Sequence, residues 1–473
     1  MRYLLRLILV MSVGLGLQQQ AKAQKVTVDS IRLARLGGLY LPSVQRALMF
    51  SLEPQSSKTT RLRHYVFDPA LQRRHRRDLY LPGSLQMVNA ASSRYHSLYQ
   101  LRRRGTDSIL TVVVDTTGQL VARQSVRQRM LPWRELHGAM APLSEGFLLE
   151  EPSRKHEQVL VRYLAPDLQS RWTHRFTAAT GRVAIEQVVM DSTHVWLVVT
   201  TNVQSRLAES KAYCLELATG HVLCRQAVDY QQERRVPSVA SMGPGHSLLL
   251  AGYSYDNNRP SRTKTGQLFY TRFNPDSTRQ ADQRVLLSQD ARLFTAQGRK
   301  VLWQGLMPDA AGNVRLVGET YTSTSLGGHI AIGVATGILT LGTLQVSTTT
   351  LRPRDIVSLK MTAAGKVEEV RVLPLPDGGS YTVGGYVPAR RMAILAAQAG
   401  TFRLRGFAPD SNRVILRSER RILTFNTQSG QSVTVQETPA SGYFDVWHTE
   451  PSQLLLYHEQ RMPQRVTLQQ IAY

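Results

Sequence analysis

Short apolar stretches recur along the chain between polar turns, and few carry the three-and-four spacing of a helix face. The repeating unit is a strand, a short polar turn and a second strand. It reads RHYVFDPALQRR with its turn near Asp68, LTVVVDTTGQLVARQ near Asp115 and VRYLAPDLQSRW near Asp167. It continues as AYCLELATGHVLCRQ near Thr219, FYTRFNPDSTRQ near Pro275, VSLKMTAAGKVEEVRV near Ala364 and RILTFNTQSGQSVTVQ near Gln428. A further strand precedes each unit: RALMFSLE, RYHSLYQL, GFLLE, HVWLVVTT, HSLLLAGYSY, VRLVGETYT and NRVILR. QLLLYHE and RVTLQQIAY close the chain as an eighth pair. β-Branched and aromatic residues bounded by Gly, Pro, Asp and Asn predict antiparallel strands throughout.

Units of this kind cannot leave their edges open, and radial closure hides them. The expected fold is therefore all-β: a β-propeller of seven or eight blades built from antiparallel four-stranded sheets. Most turn-to-turn spacings suit a blade of roughly 40–50 residues with loops of varying length. The last unit lacks a strand, and KVTVDSIRLA near the N-terminus is predicted to supply it. The alternative is two stacked β domains divided near Gly181 or Gly378-Gly379.

The N-terminus breaks the pattern. Arg2 and Arg6 precede the uncharged run Leu7 to Leu17, and Ala21-Lys22-Ala23 follows. Charge, a short apolar core and small residues are the marks of a signal peptide. The run is too short for a membrane span, which needs ~20 residues. Residues 1–23 are thus expected to be a signal peptide, and 24–473 a single propeller in the periplasm, at the outer surface or secreted.

The segment YCLELATGHVL resembles the blade ending of quinoprotein-like propellers, where a strand runs into an A-T-G turn. The chain as a whole resembles exported bacterial β-propeller repeat proteins of unassigned function, with loosely quinoprotein-like or kelch-like blades. The five tryptophans do not form the periodic set of quinoprotein dehydrogenases, and no W-D repeat is present. The resemblance therefore implies a fold rather than an activity.

Charge adds a candidate surface. The formal net charge is +24, and the excess is nearly all arginine. Arg102-Arg103-Arg104 and Arg259, Arg262 and Lys264 fall in loops joining second to third strands, which a propeller gathers on one face. They are the candidate contacts for an anionic partner, with a solvated face as the plain alternative. The run Arg73-Arg74-His75-Arg76-Arg77 follows the first turn. A second departure is the uncharged stretch Ile330 to Val346, with Gly333 and Gly337 in G-x-x-x-G spacing, inside an apolar insert at about 327–350. It is expected to fold onto the propeller as extra strands or a packed helix, or to make a peripheral membrane or protein contact.

No standard catalytic or metal-binding motif is present in the sequence. His64 and His75 flank the first turn, and His96, His137, His156, His174 and His194 stand singly, so no metal site and no cofactor is expected. Glu150-Glu151 and Glu368-Glu369 are adjacent on strands and would point to opposite faces. Asp276, Asp309 and Asp377 sit in turn-like contexts. Cys214 and Cys224 flank the ELATGHVL turn. With Gly220 at positive φ, counting outward places them directly opposite, and an oxidising compartment would bridge them. The expected function is a non-catalytic binding or scaffold protein of the cell envelope, meeting an envelope protein or an anionic polymer. An extracellular glycan-active hydrolase or lyase, with carboxylates at the propeller axis, is the alternative.

Overall fold

The computed structural model describes residues 24–29, 36–41 and most of 46–472; the longest stretches outside are 1–23, 128–144, 256–266, 286–299 and 332–342. Among the described residues the strands form eight antiparallel sheets. The first holds Leu36–Leu41, Arg46–Pro54, Thr59–Phe67 and Arg73–Pro82, side by side in chain order. The others follow in sequence: 85–127, 147–177, 182–227, 234–285, 300–384, 404–437 and 443–472. Each is a meander. The third shows three strands, and the sixth takes in a fifth, Tyr381–Gly384.

The turns explain why these segments fold as they do. Six of the seven turns read from the sequence join the third strand of a sheet to its fourth; the one near Asp167 joins the second and third described strands of the third sheet. The amides of Asp68, Asp115, Ala165, Asn274 and Thr362 each donate to the carbonyl four residues on, at 2.9–3.1 Å. Glu216 and Asn426 reach one residue further, to His221 and Gln431. One residue per turn takes positive φ: Leu71, Gly118, Leu168, Gly220, Ser277, Gly365 and Gly430. A left-handed residue closing a short hairpin loop adds a bulge, and every one of these ladders slips register, within two pairs of its turn except in Arg421–Asn426, where the slip lies three pairs away. Glycine suits that backbone, and four of the seven are glycine. Leu71 and Leu168 instead bury their side chains in neighbouring cores, which offsets the conformational cost.

The sheets pack face against face, and the cores show their order. Phe50 and Leu62 of the first sheet meet Tyr99 and Val112 of the second. Leu98 then meets Phe147, Val161 meets Leu197, and Trp196 meets Phe273. Trp303 packs with Tyr270, Val317 with Val414, and Ile415 with Leu456. Finally Leu455 and Leu468 of the eighth sheet pack on Met49 and Phe67 of the first. The succession of cores thus returns to its start, as a β-propeller-like all-β fold requires. The N-terminal segment takes part: Gln24–Asp29 pairs with Arg465–Ala472, running from Gln24↔Gln470 to Asp29↔Arg465.

Buried charge ties some of these layers together. Glu319 of the sixth sheet is fully buried and accepts from the Arg403 amide at 2.7 Å and from its Nε at 2.8 Å. Burial raises the Glu319 pKa, and the Arg403 guanidinium pulls against that rise. In the first sheet Glu53 holds Arg61, while Arg63 binds both carboxylate oxygens of Asp78 at 2.7 and 3.0 Å.

Candidate functional site

The basic loop is exposed. Arg102 and Arg103 end the strand His96–Arg103, Arg104 begins the next turn, and all three side chains face solvent. The link between first and second sheets passes beside them, since a Cβ on Gly83 would meet Arg103 Nε at 2.5 Å. The Arg104 amide donates to the Ser84 carbonyl at 2.9 Å. Arg259, Arg262 and Lys264 lie outside the described residues. The Arg73–Arg77 run lies elsewhere, on the outermost strand of the first sheet, where repeated charge discourages pairing with another chain.

The cysteine register is as counted: Cys214 is directly opposite Cys224, and Gly220 has φ 73°. The bridge is not formed. Both residues are buried free thiols. Cys224 Sγ instead donates to the Asn274 carbonyl at 3.6 Å and accepts from Gln226 Nε2 at 3.8 Å.

The apolar insert interrupts a long hairpin. Val314–Ala331 and Thr343–Met361 pair along nearly their whole length, out to Ala331↔Thr343. Residues 332–342, most of the uncharged stretch, lie outside the described residues. The first strand of the sheet stops pairing at Tyr321 and the last at Ile356, and Tyr381–Gly384 covers only Thr348–Leu351. Among the described residues, Gly327–Ala331 and Thr343–Ser347 pair only with each other. No described helix is long and apolar enough to cross a membrane.

The carboxylates singled out from the sequence are engaged locally. Glu151 pairs with Arg162 at 3.1 Å, and burial raises its pKa. Lys360 takes Glu368 at 2.8 Å, and Arg371 takes Glu369 at 2.5 Å. Asp276 and Asp309 accept turn amides, Thr278 at 2.9 Å and Asn313 at 2.8 Å. Asp377 lies outside the described residues.

One cluster escaped sequence reasoning. Asp191, His194 and His246 each offer a metal-ligating atom, and the three atoms lie within 4.8 Å of one another. The grouping corrects the expectation that the histidines stand apart. Asp191 and His194 flank the turn between the first two strands of the fourth sheet; His246 sits at the matching position of the fifth. Asp191 Oδ1 accepts from the Thr193 amide at 2.7 Å, the Thr193 hydroxyl at 3.0 Å and the His194 amide at 2.8 Å. Its Oδ2 faces His246 Nδ1 at 2.7 Å, and His194 Nδ1 is 3.9 Å from Oδ1. The two imidazoles stack with centroids 4.3 Å apart. Burial would raise the Asp191 pKa, but the hydrogen bonds from His246, Thr193 and His194 outweigh it and hold it at about 2. Desolvation and the neighbouring His246 lower that of His194. In a meander these first-to-second turns emerge opposite the second-to-third loops, so the cluster lies at the other end of the sheets from Arg102–Arg104. The local signal was D-S-T-H, an aspartate positioned to cap its own turn.

No protein-family model matches the chain, and no curated protein matches it. Among solved structures it is similar to a europium-containing methanol dehydrogenase at 7% identity, with 94% of each chain covered and a TM-score of 0.43. It is also similar to the AfRom2 CNH domain at 9% identity, covering 82% of this chain and 95% of that one, with a TM-score of 0.36. An uncharacterized protein from Listeria monocytogenes EGD-e is similar at 9% identity, covering 87% of this chain and 98% of that one, with a TM-score of 0.32.

Proposed function

We propose that residues 1–23 direct export and that residues 24–473 form one eight-bladed propeller acting as a non-catalytic binding protein of the cell envelope. The succession of eight packed sheets supports the blade number. The partner we favour is an anionic polymer meeting the loops between second and third strands. The observation that carries this reading is the exposed triplet Arg102-Arg103-Arg104 on a chain of net charge +24. Guanidinium groups suit carboxylate- and sulfate-bearing polymers because each can make paired hydrogen bonds. The uncharged stretch Ile330 to Val346 would add a peripheral contact to protein or membrane.

The test is binding to an acidic polysaccharide such as heparin, measured across a salt series. The wild type is expected to bind with affinity falling steeply as salt rises, and an Arg102→Ser/Arg103→Ser/Arg104→Ser variant to bind at least tenfold more weakly with an unchanged melting curve. Equal binding by the two proteins would remove the basic loop from the account. Mass spectrometry of protein from its native host should find Gln24 at the N-terminus; an intact Met1 would refute export.

A further inference from the structure

The Asp191–His194–His246 cluster is more than a chance meeting of polar side chains. Its members come from two sheets and about fifty residues of chain separate them, so the fold brings them together. Each is also held from behind. Three donors saturate Asp191 Oδ1, which fixes the carboxylate and leaves Oδ2 turned toward His246. The Thr193 hydroxyl lies 2.8 Å from His194 Nδ1 and so fixes that ring as well. His246 follows Gly245 into the left-handed region, with φ of 59° and 66° respectively. For histidine that backbone is uncommon, and it is clamped: Trp196 Nε1 donates to the His246 carbonyl at 2.8 Å, and Arg272 Nη2 to the Pro244 carbonyl at 3.0 Å. Strained backbone held by its surroundings, with the side chain aimed at a polar cluster, is characteristic of ligand sites.

We propose that Asp191, His194 and His246 bind one divalent transition-metal ion of the zinc class, cross-linking the fourth and fifth sheets. Two imidazoles and one carboxylate are the donor set such ions prefer over magnesium or calcium, which favour all-oxygen sites. Zinc bonds of ~2.0–2.2 Å place tetrahedral ligand atoms ~3.3 Å apart. The present separations of up to 4.8 Å therefore need only side-chain rotation to close. On binding, the ion would take the place of the hydrogen between Asp191 Oδ2 and His246 Nδ1; the neutral ring keeps its one N–H on Nε2, and a ring that starts as imidazolium releases its second proton to solvent. Thr193 would remain as the outer partner that orients Asp191, a role second-layer groups commonly fill around metals. His246 is exposed, so the remaining coordination positions open to solvent.

The test uses the full mature chain, stripped with chelator and titrated with zinc chloride by calorimetry near neutral pH. One zinc per chain is expected, with a melting temperature that rises on loading. His246→Ala and His194→Ala should each weaken binding at least tenfold and abolish the thermal shift. His246→Ala removes an exposed side chain, so its fold should survive, which circular dichroism checks. His174→Ala, at a histidine on Ser170–Thr177 of the third sheet, should bind like the wild type. Absence of stoichiometric zinc on the wild type overturns the proposal, as does wild-type affinity in either cluster variant.

Discussion

His64 makes stability depend on pH in a way that can be worked out in advance. It lies on Thr59–Phe67, fully buried between the first and second sheets, with its ring 5.2 Å from that of Tyr99. Neither ring nitrogen finds a hydrogen-bond partner among the described residues. Burial pushes its pKa down to about 4, against a smaller pull upward from Asp78. The folded chain thus binds this proton less readily than the unfolded chain, whose histidine titrates near ~6.5. Stability from the neutral ring is complete above pH ~6.5 and is lost as pH falls toward 4. The full difference, 6.5 minus 4, is worth about 3 kcal/mol, of which about 2 kcal/mol is already gone at pH 5. His64→Leu removes the titrating group and two unpartnered polar atoms, so it should equal or exceed the wild type at pH 7.5. Urea midpoints for both proteins between pH 7.5 and 5 provide the assay, and their difference should widen by about 2 kcal/mol in favour of the variant. Parallel profiles would show that His64 is either solvated or partnered.

Three further outcomes are expected. Ser277 is exposed with φ 68°, so Ser277→Gly should stabilise by about 1 kcal/mol in urea unfolding, and Gly365→Ala at the equivalent turn should cost about as much. Arg403→Met leaves Glu319 buried without its cation and should cost about 3–5 kcal/mol, while adding Glu319→Leu should restore most of the loss; a single variant as stable as wild type would show water at Glu319. A chain beginning at residue 30 exposes the edge of Arg465–Ala472, and its melting temperature should fall by several degrees; an unchanged melting curve would show that this strand contributes nothing.

What could be read from the sequence was local. Turn chemistry at Asp68, Asp115 and Gly220 specifies loop and register within a dozen residues, and the opposition of Cys214 and Cys224 follows from counting outward. Whether those sulfurs bond depends on strand geometry, which counting does not contain. Leu71 and Leu168 show the same limit from another side: they stand where glycine is expected because distant cores accept their side chains. The sequence marked Ile330 to Val346 as an apolar insert, yet the paired hairpin strands reach well beyond it through Thr322, Thr324 and Thr348 to Thr350. The Asp191–His246 contact was invisible because it depends on packing between the fourth and fifth sheets.

The pairing of Gln24–Asp29 with Arg465–Ala472 sets an order of assembly. Most sheets are built from one contiguous run of chain, so each can form as its residues become available. The eighth requires the first described residues and the last. Joining them in an unfolded chain would close a loop of more than 400 residues, whose length-dependent entropy alone is about 5 kcal/mol. Once the intervening sheets have stacked, the two ends already lie close, and nearly all of that cost has been met by earlier contacts. The joint should therefore form last and fray first, and amide hydrogen exchange there should outpace exchange in the central sheets. In a chain synthesised from its N-terminus, Gln24–Asp29 is made more than 400 residues before the strand it pairs with.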